Sequence, residues 1–362
     1  MEKKKILFTA NDLRIGGIEK ALVTLLNYLI EENYDITLVL ERKKGELLKK
    51  LDYRIKVEEY TPSDNKIVVF RKIINFIKRL IAIKKYKNKF DTSVSFATYS
   101  LPGSFIARTA SRNSILWGHA NYLDLFQGDR DETQRFFGKL GYNEFKKVVF
   151  VSKEGRNTFI DLFPKMKEKT FKCNNLIDAD EIERLSKEKV DIKKEEIYTF
   201  LNVGRHDERQ KKLSRIIRAA EKLKKENYKF RILFVGDGQD TNFYKELVNE
   251  SDLKKEILFL GRKENPYPYF NISNCIILSS DYEGYPVVFL ESFILNKPII
   301  TTNVSDFDEV QCGRGIVCDK SINGIYNSMK KIISEGYKLE NRFEQEKYNM
   351  DIQNKVREIL SW

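Results

Sequence analysis

The stretch "CIILSSDYEGYPVVFLESFILNKPIITT" (residues 275–302) reads as strand, loop, helix, strand. Its first apolar run, "CIILSS", is short and bounded by turn residues, as suits a strand covered on both faces. Pro286 fits the first turn of a helix, where its missing N–H costs nothing. The helix then runs through "VVFLESFILN" and stops by Pro298, where "PIITT" begins another strand. Two glutamates stand eight positions apart. Glu283 falls in the loop at the strand's carboxyl end. Glu291 lies inside the helix, roughly 7 Å further along the axis at ~1.5 Å per residue. Val287, Val288, Phe289 and Leu290 are expected to bury the helix against the sheet.

The same alternation extends outward through the chain. In the first half, "KILFTA" (5–10), "DITLVLE" (35–41), "DTSVSFA" (91–97), "SILWGHA" (114–120) and "KVVFVS" (147–152) are predicted strands. Residues 17–32 between the first two carry Ile18, Leu22, Leu25, Leu26 and Leu29 at helical spacing. In the second half the strands are "YTFLNVGR" (198–205), "FRILFVGDG" (230–238), "EILFLG" (256–261), "CIILSS" and "PIITT", with a helix over 214–226. Two strand–helix series argue for an α/β chain of two doubly wound parallel-sheet, Rossmann-like domains facing across a cleft. The polar segment 174–196 separates the series and is read as the linker. Domain bounds follow: 1–173 and 174–343, with a C-terminal helix (344–362) packing back on the first.

Length and composition agree. A chain of 362 residues suits two domains of ordinary size. It is 41% hydrophobic and 33% charged, enough for full cores and a solvated surface. The net charge of +12 admits an anionic substrate, an anionic membrane surface or nucleic acid. The basic residues are dispersed and carry no aromatic-interleaved binding motif, which argues against nucleic acid. Cys173, Cys275, Cys312 and Cys318 form no C-x-x-C pair and read as reduced thiols of a cytoplasmic protein. "MEKKKILFTAND" is a first buried strand rather than a signal peptide. No window is apolar enough to span a membrane.

Parallel sheets bind ligands outside the carboxyl ends of their strands. After the first strand come Gly16 and Gly17, which serve either a tight turn or an anion at a helix N-terminus. After "SILW" comes His119, one of two histidines, either structural or facing the site. After "YTFLNV" come Arg205, Lys211 and Lys212. Cations there oppose the dipole of the following helix, and a bound diphosphate would give them a reason. After "ILFL" come Gly261 and Arg262. Free N–H groups near Tyr285 to Val288, flanked by Glu283 and Glu291, would suit a sugar nucleotide: phosphates on the amides, hydroxyls on the carboxylates.

Taken together, "EGYPVVFLE" resembles the Glu-x7-Glu motif of the family-4 retaining glycosyltransferases of GT-B fold, bacterial surface-polysaccharide type. The resemblance extends over "RIGGIEKAL" (14–22), His119, "NNLID" (174–178), "NVGRHDERQKKLSRIIRA" (202–219), "FVGDG" (234–238) and "LFLGRKEN" (258–265). It implies that Arg205 and Lys211 hold the donor diphosphate. Glu283 and the backbone of Gly284, Tyr285, Pro286 and Val287 would hold the sugar and phosphate, and Glu291 the ribose. Gly261 and Arg262 would meet the base, Gly16 and Gly17 the phosphates, and His119 the reacting sugar. The catalytic set is then His119, Arg205, Lys211 and Glu283. The implied reaction moves a hexose or N-acetylhexosamine from a nucleotide sugar, UDP-linked, to a glycan or polyprenyl-linked glycan, without cofactor or metal. One departure stands out: Gln210 occupies the place usual for Lys, so a one-residue insertion leaves Lys211 and Lys212 as alternatives. Asp129-Arg130-Asp131 and Asp178-Ala179-Asp180 mimic a D-x-D metal motif, but neither follows a clear buried strand, and they are rejected. A sugar-nucleotide epimerase or a non-catalytic binding protein of the same fold is the alternative function.

Residues 68–88 form a basic amphipathic helix. Its apolar stripe either enters the core or lies on an anionic membrane, with peripheral attachment at the plasma membrane's inner face as the consequence.

Overall fold

The computed structural model describes residues 3–190, 192, 196–340 and 342–361. Contacts divide the chain into two units: residues up to Ile177 joined by those from Tyr348 onward, and Asp178–Lys347.

The first unit is built on seven strands: β1 Lys5–Ala10, β2 Asp35–Leu40, β3 Lys56–Glu59, β4 Thr92–Ser95, β5 Ser114–Gly118, β6 Lys147–Phe150 and β7 Thr170–Lys172. Their order is β3-β2-β1-β4-β5-β6-β7, and every pairing is parallel. The second has β8 Tyr198–Val203, β9 Phe230–Val235, β10 Ile257–Gly261, β11 Cys275–Leu278, β12 Ile299–Thr302 and β13 Gly315–Cys318. These run β10-β9-β8-β11-β12-β13, again all parallel. In each sheet the order reverses once, at β1/β4 and at β8/β11. Crevices for ligands open at such switch points, outside the strand ends.

The central strands match their sequence signal because both faces are covered, as in "FRILFV", buried throughout. Three edge strands carry no such signal. β3 is "KVEE", exposed at both ends, β7 is three residues long, and β13 is only half-buried. An edge needs no continuous apolar run.

The segment 174–196 is not a free linker. Ala179–Ser186 is a helix capped by Asp178, whose carboxylate accepts from Glu181 N at 2.9 Å, and it buries Ile182. Asn265 and Asn271 donate to the carbonyls of Leu185 and Ser186 at 2.9 and 2.6 Å. Residues 191 and 193–195 lie outside the described residues. The closing helix, Gln345–Leu360, is tied to the first unit. Leu360 O accepts from Thr92 Oγ1 at 3.1 Å, and Lys147 Nζ donates to Ile359 O at 2.8 Å.

Helix Val68–Tyr86 buries only Ala82 and Tyr86, so its apolar stripe is not in the core. Among the described residues no helix is long and apolar enough to cross a membrane. The four cysteines are unpaired.

Candidate functional site

Two glycines shape the ends of β8 and β9. Gly236 has φ +147°, and a Cβ there would stand 1.8 Å from Gly204 O. A Cβ on Gly238 would stand 2.1 Å from His206 O. The "GDG" turn therefore packs directly on the backbone that carries Arg205, at distances no side chain allows.

Beyond Arg205 the chain turns tightly before helix Leu213–Lys225. Lys211 N donates to Asp207 O at 2.7 Å, and Lys212 adopts the left-handed conformation at φ +49°. The end of β11 holds this turn. Ser279 Oγ lies 2.9 and 2.8 Å from the carbonyls of Lys211 and Lys212, and Asp281 N donates to Gln210 O at 2.8 Å. The two adjacent lysines consequently diverge. Lys211 Nζ meets Glu283 Oε1 at 2.5 Å, whereas Lys212 lies 3.5 Å from Glu208 and 4.0 Å from Asp281. Of the two alternatives left open by the sequence, Lys211 is the one that pairs with Glu283.

Glu283 is buried, and its carboxylate also accepts from Ser280 Oγ at 2.6 Å and from Gln210 Nε2 at 3.4 Å. Arg205 stands at the outer edge of this cluster with its side chain 65% exposed, reaching Gln210 Oε1 at 3.0 Å and Asp207 at 3.4 Å. Gln210 bridges Arg205 to Glu283 and so belongs to the network. The arrangement is graded: a buried carboxylate, a partly covered ammonium, then an open guanidinium. An incoming anion would meet the exposed cation first.

Helix Val287–Ile294 begins after Pro286. Its first N–H groups have no partner within the helix. Burial begins at Phe289, whereas Val287 and Val288 are only half-buried. This corrects the expectation that both valines enter the core, because the first turn fronts the strand ends. Glu291 is buried and accepts from the Tyr267 hydroxyl at 3.1 Å. Burial first, and the Glu291 charge second, hold the Tyr267 hydroxyl well above the ordinary tyrosine range. At the end of β10, Gly261 has φ +69° beside a register shift, and Arg262 follows it exposed.

In the first unit, Gly16 precedes helix Gly17–Glu31 in extended conformation, with no side-chain cap. The Glu19 carboxylate folds back over it: a Cβ on Gly16 would stand 2.2 Å from Glu19 Oε2. The Tyr99 hydroxyl donates to Glu19 at 2.7 Å, and burial raises the Glu19 carboxyl. His119 follows β5 directly and is buried, its ring 4.4 Å from that of Phe96. Burial lowers its imidazole to about 3, so it is neutral at pH 7. Its Nε2 has no partner among the described residues.

The first aspartate of each D-x-D look-alike has a structural duty. Asp129 and Asp178 each cap a helix, accepting from Glu132 N at 2.8 Å and Glu181 N at 2.9 Å.

The structure thus gathers Arg205, Lys211 and Glu283 in one cluster at the β8/β11 switch point. It places Gly16, Gly17 and His119 at strand ends of the first unit. Sequence reasoning missed Ser280, Gln210, Tyr267, Glu19 and Tyr99. Only Gln210 left a signal, as the residue displacing the lysine.

Comparison with known proteins places this geometry. Residues 183–350 match the family model described as Glycosyl transferases group 1. An uncharacterized glycosyltransferase of Methanocaldococcus jannaschii is 26% identical over 242 residues, 64% of this chain and 58% of that protein. The chain therefore aligns with less than two thirds of that relative's length. A Campylobacter jejuni enzyme is 27% identical over 80% of this chain and 76% of its own. It is named GalNAc-alpha-(1->4)-GalNAc-alpha-(1->3)-diNAcBac-PP-undecaprenol alpha-1,4-N-acetyl-D-galactosaminyltransferase. Among solved structures, Anabaena HepE in complex with UDP and glucose superposes at TM-score 0.78 with 16% identity, covering 98% of this chain and 99% of that one. The two doubly wound parallel sheets are the GT-B architecture.

Proposed function

We propose, on the premise that residues 183–350 belong to the Glycosyl transferases group 1 family, that this chain is a retaining sugar transferase using a UDP-linked donor. It moves a hexose or N-acetylhexosamine to a glycan or polyprenyl-linked glycan during cell-surface polysaccharide synthesis. The observation that carries this reading is the graded cluster Arg205, Gln210, Lys211, Glu283 at the β8/β11 switch point. The named activity of the Campylobacter relative on an undecaprenol-linked glycan supports the acceptor class. HepE crystallised with UDP and glucose supports the donor class.

In this mechanism the bond from the anomeric carbon to the diphosphate breaks, and its electron pair goes to the leaving phosphate. Arg205 and Lys211 stabilise that developing charge, together with the backbone from Gly284 to Val287, so no metal ion is required. Glu283 bonds the transferred sugar, and its pairing with Lys211 keeps the ammonium fixed before the donor arrives. Glu291 grips the ribose, and Gly261 and Arg262 face the base. The acceptor oxygen attacks the same face that the leaving group departs from, and its proton passes to a leaving phosphate oxygen.

A panel of nucleotide sugars tests the reading. The cognate donor at 100 times its dissociation constant raises stability by about 2.7 kcal/mol. Turnover persists in EDTA, and the product keeps the donor's anomeric configuration by NMR. Loss of turnover in chelator with recovery on adding Mn²⁺ overturns the metal-independent mechanism. Conversion of the nucleotide sugar without acceptor would assign an epimerase instead.

A further inference from the structure

We infer that the outward face of helix Val68–Tyr86 docks on the surface of an anionic lipid bilayer. The inference stands apart from the donor reading, since the helix lies wholly in the first unit.

The helix is amphipathic in the inverted sense. Ile73, Phe76, Ile77 and Leu80 recur at i, i+3, i+4 and i+7, and Val69 and Phe70 extend the same face by one turn. Each of these six side chains is exposed by 50% or more. The opposite side meets the domain: Ala82 and Tyr86 join the core cluster of Ile106 and Ala110, and Asn75 Oδ1 accepts from Ser63 N at 2.7 Å. Exposed apolar side chains scattered singly need no explanation, but a contiguous stripe of aromatic and branched residues marks an interaction surface.

Charge identifies the partner. The helix holds six cations, Arg71, Lys72, Lys78, Arg79, Lys84 and Lys85, and no acid. On the helical wheel Lys72 borders one side of the apolar face, Arg71 borders the other and Lys84 lies within it, whereas Lys78, Arg79 and Lys85 turn to the domain, at Thr61 O, the Phe105 ring and Glu58. A second copy of this chain seated face to face would bring two such unbalanced borders together. An anionic headgroup layer meets both at once, taking the apolar side chains to the acyl boundary while the cations stay at the phosphates. A helix of this length and charge lies on a bilayer rather than across it.

Placement gives the docking a use. Arg79 lies 5.4 Å over the ring of Phe105, and Ala82 and Tyr86 cluster with Ile106 and Ala110, so this helix runs in the same direction as helix Leu101–Ala110. Its first two turns therefore extend past Leu101, on the side of the strand carboxyl ends where Gly17 and His119 stand. Tyr99 and Leu101, each 47% exposed, stand at the start of helix Leu101–Ala110 at that end. A membrane-held acceptor would be presented to that rim.

Co-sedimentation of the full chain with vesicles tests this. We expect the parent to partition onto phosphatidylcholine vesicles containing phosphatidylglycerol at ~0.15 M salt, with binding weakening as salt rises. Pure phosphatidylcholine vesicles should bind it at least ~10-fold more weakly. Phe76→Ser/Leu80→Ser, which keeps every charge, should lose at least ~10-fold on anionic vesicles, as expected when two large apolar side chains no longer transfer. Both substituted positions are exposed, so the variant should melt with the parent. Failure of the parent to sediment with anionic vesicles overturns the inference, as does equal binding to neutral ones. A parent dimer that the double variant dissolves would assign the face to a second copy and also overturn it. UDP titration of the same samples reports on the donor reading separately.

Discussion

Replacing Lys211 by Met should destabilise the second unit and weaken UDP binding, and the two losses should be separable. Breaking a buried ion pair by removing one partner costs about 3–5 kcal/mol, because a charge is left without compensation. Here the loss should sit lower. The Lys211 side chain is 20% exposed, and Glu283 keeps Ser280 Oγ at 2.6 Å and Gln210 Nε2 at 3.4 Å. We expect about 2–3 kcal/mol, hence a fall in melting temperature of about 5–10 °C for a unit of about 170 residues. Glu283→Gln should cost less, because the lysine can turn toward solvent. The double variant Lys211→Met/Glu283→Gln removes the orphaned charge and should be more stable than Lys211→Met alone by about 1–2 kcal/mol. UDP affinity should not recover with it, since the cation is still missing. Thermal unfolding and UDP calorimetry on the four proteins decide the matter. Singles that both melt within ~1 °C of the parent would show that the pair is not formed as described. Recovery of UDP binding in the double variant would refute contact between Lys211 and the diphosphate and leave it a support for Glu283.

Arg205→Ala removes a side chain that is 65% exposed, so stability should change by no more than about 0.5 kcal/mol while turnover falls about 10²–10³-fold, measured by steady-state kinetics with a UDP-sugar. Glu291→Gln should weaken UDP and UDP-sugar binding alike and spare turnover at saturation; a variant that binds UDP like the parent but melts lower would make the Tyr267–Glu291 contact purely structural. Gly236→Ala should lose both stability and UDP affinity, because its Cβ collides with Gly204 O, one residue before Arg205, and circular dichroism melts with UDP titration will show whether both fall together. His119 passes from the ordinary histidine value of 6.5 to about 3 on folding, so below pH 6.5 the unfolded chain binds the extra proton and stability should fall with pH across that window. His119→Phe should flatten the slope of melting temperature against pH there.

The fold class was legible because both sheets are parallel and covered on both faces. Burial on both faces forces largely apolar runs such as "KILFTA" and "FRILFV", which the order of residues displays by itself. The edge strands β3, β7 and β13 escaped because an edge is solvated and its residues need only local pairing. The positions after the strands were equally legible: Arg205, Lys211, Glu283 and His119 are found there because parallel topology puts every such residue at one end of its sheet. Side-chain partnership was not legible. Nothing local makes Lys211 rather than Lys212 the partner of Glu283; that choice belongs to Ser279, which holds the carbonyls of both lysines, and to the left-handed turn at Lys212. Nor does the sequence say that Tyr267 meets Glu291, since 24 residues and a strand separate them. The clearest case is helix Val68–Tyr86. Its periodicity specifies an apolar face but not a direction for it. Direction was set by Ala82 and Tyr86, which fit the core beside Ile106 and Ala110 and so turn the larger apolar face to the outside.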